Sequence, residues 1–251
     1  MSSGTAAPVS AEQMVAEARK AFFVMFAFLA VVWAVQLANW AGDYGLSKGY
    51  SVISGEPGRL PDILAAPLLH WSWAHIEANS GPLFVFGFLA AYRGVARFFG
   101  LTLLVAVVSG LMIWFFESPG AGTAGASGLV FGYFGYVVVR GFFDRHLIDS
   151  LVGVVMAASF AYIFTGVLPG TPGVSWLGHL GGLIGGVVGA WVFRDRRAKT
   201  AQQSKTAQKP KTSQESKMSQ ESKAAGSTAV AKGVDGPRSA LYKELDDLGL
   251  L

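Results

Sequence analysis

The stretch "WLGHLGGLIGGVVGAW", residues 176–191, reads as a helix made for contact. Gly178, Gly182 and Gly186 recur every fourth residue. On a helix that spacing puts them in one row and leaves a flat face against which a second helix can lie closely. His179 is the one ionisable side chain in the run. Around it the run is apolar enough to sit in lipid, so the fold question becomes how many such runs the chain has and what lies against this one.

The chain has 251 residues, of which 52% are hydrophobic and only 14% charged. Soluble domains carry about 25% charged residues. Apolar runs near 20 residues read as membrane helices, and six candidates follow: 21–40, 71–92, 97–116, 126–142, 147–168 and 176–193. The fourth is the shortest and is rich in glycine. Arg19 and Lys20 precede the first run, and no small-x-small cleavage site follows it, so it is expected to be a retained helix rather than a removed leader.

The charges agree with six. Arg19, Lys20, Arg93, Arg97, Arg140, Arg145, Arg194, Arg196, Arg197 and Lys199 then share one side. The other side holds Asp43, Lys48, Glu56, Arg59 and Asp62 in the first loop and Glu117 in the third, with no charge between Leu168 and Gly178. Excess Lys and Arg mark the cytoplasmic side, which puts both termini there. The net charge of +4 is therefore a membrane-orientation signal, and nucleic acid is not an expected partner. The absence of cysteine excludes disulfides and thiolate metal sites.

The expected organisation is an N-terminal cytoplasmic segment over 1–20, a six-helix domain over 21–195 and a disordered cytoplasmic tail over 196–251. "SQESK" occurs twice in that tail, at 213–217 and 219–223, among polar residues that cannot bury a core. Leu241, Leu245 and Leu248 have a spacing that a short docking helix at 239–248 shares with chance. The first loop, about 41–69, either folds on or into the outer leaflet or is a flexible connector.

Polar side chains within apolar spans are costly and are functional candidates. Three groups stand out. In "HWSWAHIEANSGP", residues 70–82, His75 and Asn79 are four apart and share a helix face. Two donors side by side suit a developing oxyanion or else glue helices together. His70 lies five residues earlier, at the mouth of the helix. Glu77 points away from the shared face. Burying it unpaired would cost about 2.5–3.5 kcal/mol, so it is expected at the interface or paired. In "GTAGASGLVFGYFGY", residues 122–136, Ser127 stands among small residues, as a helix-contact filler does, or as a nucleophile that a substrate must approach. His179 is either a base for a hydroxyl on a neighbouring helix or an imidazole bonded to a carbonyl. Nucleophile, base and paired donors together make the parts of a serine hydrolase, and all three groups fall toward the outer side.

At these residues the chain resembles the rhomboid intramembrane serine proteases. "GASG" at 125–128, H-x4-H-x3-N at 70–79 and "GHLGGLIGG" at 178–186 look like the family's three motifs, in its order and on the second, fourth and sixth spans. The resemblance covers about 60–195. It implies an all-α, six-transmembrane-helix bundle, multi-pass in a bacterial cell membrane, and a serine endopeptidase that cleaves transmembrane protein substrates within the lipid bilayer. It assigns Ser127 as nucleophile and His179 as general base, a dyad with no third acidic member. His75, Asn79 and the Ser127 N–H would line the oxyanion hole, His70 would support the loop and helix start, and Gly125 and Gly128 would shape the turn. No cofactor or metal is expected.

Two features depart from the family pattern. The first loop lacks the Trp-Arg pair of many relatives, and the position four after the serine is Phe131 rather than tyrosine. The alternative reading is a catalytically silent rhomboid-like protein that binds transmembrane helices. Such proteins lack the serine or the histidine, and both are kept here. A transporter is disfavoured because the polar groups cluster at one depth. Zinc proteolysis is disfavoured because no H-E-x-x-H occurs and His75 and Glu77 have the wrong helical spacing for co-ligands.

Overall fold

The computed structural model describes residues 10–120 and 122–195. The tail over 196–251, with the helix considered at 239–248, lies outside the described residues, as do residues 1–9. The helices in chain order are α1 (Ala11–Ala41), α2 (Gly45–Tyr50), α3 (Trp73–Ala91), α4 (Val95–Phe116), α5 (Ser127–Asp144), α6 (Leu147–Ser159) and α7 (Trp176–Val192). Short 3-10 turns occupy Pro57–Leu64, Ala66–Leu68 and Ala161–Val167. The two-residue strands β1 (Val52–Ile53) and β2 (Gly122–Thr123) pair antiparallel, Val52 opposite Thr123.

Helices cover all six apolar ranges, and local chemistry sets their starts. Ser10 forms a capping box with Gln13, which satisfies two orphan N–H groups. The first helix therefore begins ten residues before its apolar run, and residues 11–20, read from sequence as part of a cytoplasmic segment, belong to α1. Ser72 caps α3 through the His75 N–H at 3.1 Å, and Ser175 caps α7 through the Gly178 N–H at 3.1 Å. Between α3 and α4 the chain reverses at Gly94, φ +124°, a conformation that favours glycine.

α1 and α4 are long and apolar enough to cross a membrane. The range 147–168 is not one straight helix. α6 ends at Ser159, and the 3-10 turn that follows Phe160 leaves at 69°.

The short, glycine-rich fourth range proves to be the innermost helix. α5 packs against α7, α6 and α3, and every residue from Leu129 to Val137 is buried. A helix that is apolar all round belongs inside, and one shielded by its neighbours does not need the length of a lipid-facing span. Lipid is as apolar as leucine, so helices in a membrane associate through close packing rather than water exclusion. Glycine provides that closeness. A Cβ on Gly182 would collide with the Gly128 carbonyl oxygen, and one on Gly186 with the Gly132 carbonyl. The expected row is thus split. Gly182 and Gly186 meet α5, whereas a Cβ on Gly178 would face Ile113 of α4. A second glycine row on α7, Gly181, Gly185 and Gly189, also lies against α4, at Met112, Val105 and Leu101.

The first loop is not a loose connector. Val52, Ile63, Ala66 and Leu69 are buried in a small core of their own with Ile113 and Ala124. The β1–β2 pair ties this loop to the segment that leads into α5.

At the other end of the bundle three arginines are tied to acids. Buried Arg140 bonds buried Asp144 at 2.8 Å, and Arg93 and Arg140 both reach Asp149. The Asp195 N–H donates to Asp144 at 2.7 Å, and Arg97 pairs with Asp195 at 2.7 Å. This network ties the ends of α3, α5 and α7 to the starts of α4 and α6. The Arg97 guanidinium donates to Asp195 and holds its carboxyl below the ordinary range.

Two outcomes follow. Gly186→Ala should destabilise the purified protein by more than the about 1–3 kcal/mol typical of overpacking, whereas Gly49→Ala, with open space at its Cβ position, should stay within about 0.5 kcal/mol; thermal unfolding in detergent compares them. A carboxyl depressed on folding adds stability above its ordinary pKa of about 3.9 and loses it as pH falls through the lower folded-state value. Melting curves from pH 6 to pH 3 should therefore fall less steeply for Asp195→Asn than for the parent. The difference should be small, because both side chains of the pair are about 40% exposed.

Candidate active site

One cavity of about 510 Å³ opens at the end of the bundle away from the ionic network. Ser127, His179, His75, Asn79, Gly125 and Gly128 all line it. His70 does not. It is fully buried behind the lining, its ring 5.0 Å from that of His75 and nearly perpendicular to it.

Ser127 is the first residue of α5. The N–H groups of a first helical turn have no intrahelical acceptor and carry the positive end of the helix dipole, so the backbone at Ser127 and Gly128 is suited to an anion. The preceding turn is fixed from two sides. Gly125 has φ +150°, and a Cβ there would come within 2.8 Å of the His75 ring. The next residue, Ala126, donates its N–H to His70 Nε2 at 3.3 Å. Burial, reinforced by neighbouring His75, lowers the His70 pKa to about 3. The ring is therefore neutral and has a lone pair to accept that bond.

His179 lies flat on Phe131, ring centroids 4.1 Å apart and planes 11° from parallel. Phe131 is four residues after Ser127, so the two share a face of α5, and the imidazole lies on the serine's face. Its Nδ1 is 2.8 Å from the Gly166 carbonyl oxygen. A carbonyl only accepts, so Nδ1 carries the proton and Nε2 is left with its lone pair. The carbonyl-bonded and proton-accepting readings of this histidine are thus compatible. Ser127 and His179 both line the cavity, and among the described residues no hydrogen bond joins the two side chains directly; such a bond can tighten only when substrate is bound.

On α3, His75 and Asn79 are one turn apart. Asn79 is 8% exposed, and its Nδ2 is buried without a partner among the described residues. A side chain gluing two helices would spend that donor on a neighbour, and this one does not. Glu77 is exposed and, among the described residues, forms no ion pair, in keeping with a residue at the interface.

Several contributors were not singled out from sequence. Ser109 Oγ of α4 donates to the Gly178 carbonyl at 2.7 Å and lies where a Cβ on Gly128 would point, at the meeting of α4, α5 and α7. Asn39 Nδ2 of α1 and Ser47 Oγ donate to the His70 carbonyl at 2.9 and 3.2 Å. Asn39 carried a usable signal, being a polar side chain in an apolar run. Gly166 carried none, since it acts through its carbonyl. Glu117 bonds the Ser175 hydroxyl.

Fold and site together define a helical integral membrane protein with a polar cavity at one end of its bundle. The chain belongs to the rhomboid family: the Rhomboid domain model matches residues 57–196. Over 152 residues it is 36% identical to an uncharacterized protein of Mycobacterium tuberculosis, a match spanning 57% of this chain and 63% of that one. It is 34% identical over 182 residues to an uncharacterized protein of Mycobacterium leprae, covering 69% of this chain and 71% of the relative. Over 198 residues it is 24% identical to the rhomboid protease GlpG of Haemophilus influenzae, covering 75% and 97%.

The Gly125–His75 contact should appear as an energetic coupling. Gly125→Ala should lower the unfolding midpoint in detergent, and the same change in a His75→Ala background, where the obstructing ring is gone, should cost about 0.5–3 kcal/mol less.

Proposed function

We propose that the chain is a serine-type endopeptidase that hydrolyses peptide bonds in or near transmembrane segments of other membrane proteins. The observation that carries this reading is the imidazole of His179 stacked on Phe131, one helical turn from Ser127, with Ser127 and His179 both lining a cavity that Asn79 also lines, its amide unpartnered among the described residues. Membership of a family that includes a protein named as a protease supports it.

In this reading six spans, near 21–40, 71–92, 97–116, 126–142, 147–168 and 176–193, cross a bacterial membrane, and both termini are cytoplasmic. The cavity then opens on the outer side, where water is available. The domain spans 21–195, with α1 starting in the segment before it. The substrate is itself a membrane helix that must unwind locally to present a carbonyl.

Ser127 Oγ attacks that carbonyl carbon, and its proton passes to His179 Nε2. Gly166 holds the opposite side of the ring through Nδ1–H, the orienting role a carboxylate has in a triad. The tetrahedral oxyanion is met by the Ser127 N–H, Asn79 Nδ2 and His75. These donors are fixed before reaction and incur no reorganisation. The C–N bond breaks as His179 gives its proton to the leaving amine, which leaves an ester on Ser127. Water then attacks the ester carbonyl, His179 takes its proton, and return of that proton to Ser127 Oγ releases the acid. His70 acts at one remove by fixing the Ala126 N–H, and Gly125 and Gly128 leave room for the substrate backbone.

The test is cleavage of a panel of single-span proteins by the detergent-purified full chain. Ser127→Ala and His179→Ala should each reduce turnover by about 1,000-fold or more, and Asn79→Ala by about 10- to 1,000-fold. A fluorophosphonate should attach to Ser127. Wild-type turnover in either dyad variant, or labelling at another residue, would refute the assignment.

A further inference from the structure

We propose, resting on the protease reading above, that Glu117 selects substrates with a basic side chain within a few residues of the cleaved bond. Among the described residues, Glu117 is the sole Asp, Glu, Lys or Arg lining the cavity. It follows the last turn of α4 directly, is half-buried, and accepts a hydrogen bond from the Ser175 hydroxyl. Among the described residues no cation pairs with it, whereas Arg59 and Asp62 of the nearby first loop neutralise each other. The segment between Leu168 and Gly178 carries no charge at all. The field at the cavity mouth is therefore that of an uncompensated carboxylate, in surroundings of lower dielectric than water where an ion pair is stronger than at an open surface.

Its distance from the chemistry fits a specificity subsite. Ser175 caps α7, and its carbonyl accepts the His179 N–H at 3.2 Å. The carboxylate bonded to Ser175 thus lies about one helical turn, some 5 Å along the axis, outward from the base. A substrate threaded past Ser127 would bring a side chain a few positions from the scissile bond to that point. An Arg or Lys side chain has the length and the donors to reach it. Glu117 also helps to hold Ser175, and this structural part needs only an acceptor oxygen, which glutamine keeps. The neutral variant therefore separates charge recognition from support of the helix cap.

The experiment uses the full chain in lipid vesicles with single-span substrates that differ at one residue. Arg, Gln or Glu is stepped through the four positions on either side of the cleaved bond. At one position the Arg substrate should show a kcat/KM about 5- to 10-fold above the Gln version, with the Glu version lowest, and added salt should narrow the gap. Glu117→Gln should bring the Arg-to-Gln ratio to about one, and Glu117→Lys should reverse the order. An Arg-to-Gln ratio near one at every position, or a preference unchanged in Glu117→Gln, would overturn the inference while cleavage itself proceeds. A preparation that cuts no substrate and leaves Ser127 unlabelled by fluorophosphonate would instead overturn the protease reading, and this inference with it.

Discussion

Two backbone contacts without side chains between them carry the rest of the molecule. The carbonyls of Gly128 and Gly132 on α5 lie where Cβ atoms would stand on Gly182 and Gly186 of α7. Only glycine permits that approach. It sets the register of α7 on α5, and the register decides that His179 lies over Phe131 on the serine's face of the helix. A shift of one residue would turn the imidazole about 100° around its axis. The second glycine row, against α4, holds α7 from the other side, so its position is fixed in two directions.

Polar groups in such a bundle must find partners or water. At one end they find each other: Arg140, Asp144, Asp149, Asp195, Arg93 and Arg97 join five helix ends through bonds that close within the protein. At the other end several keep an open valence toward a cavity. Among the described residues the Asn79 Nδ2 has no partner and Glu117 has no cation, and the first N–H groups of α5 have no intrahelical acceptor. One end is satisfied and holds the bundle together. The other is left unsatisfied in the places where a ligand could complete it.

Much of this architecture can be read along the chain, because lipid imposes rules on single residues. Apolar runs locate the helices, and every one of the six ranges is helical. Paired glycines announce the tight contact, and isolated polar residues in apolar runs announce the cavity. What escapes is whatever depends on backbone atoms or on distant partners. The Gly166 carbonyl is invisible in sequence because every residue has one. The acids at the ionic end escape because the orientation rule counts Lys and Arg, and their pairing requires α6 and the end of α7 to arrive together. The 69° bend after α6 has no proline to mark it, and hydropathy averages across it.

The sequence by itself determined that this is a helical membrane protein with glycine-faced helices, and it determined which polar residues are too costly to bury without purpose. Those conclusions rest on per-residue transfer energies and on helical periodicity, which need no knowledge of the neighbours. Only the tertiary structure decided which nitrogen of His179 is tied and which is free, that His70 holds the turn before Ser127 rather than lining the cavity, and that Glu117 is the one Asp, Glu, Lys or Arg lining it among the described residues. Each of these depends on a hydrogen bond or contact between segments 13 to 58 residues apart, and such distances are set by packing, which a linear pattern does not encode.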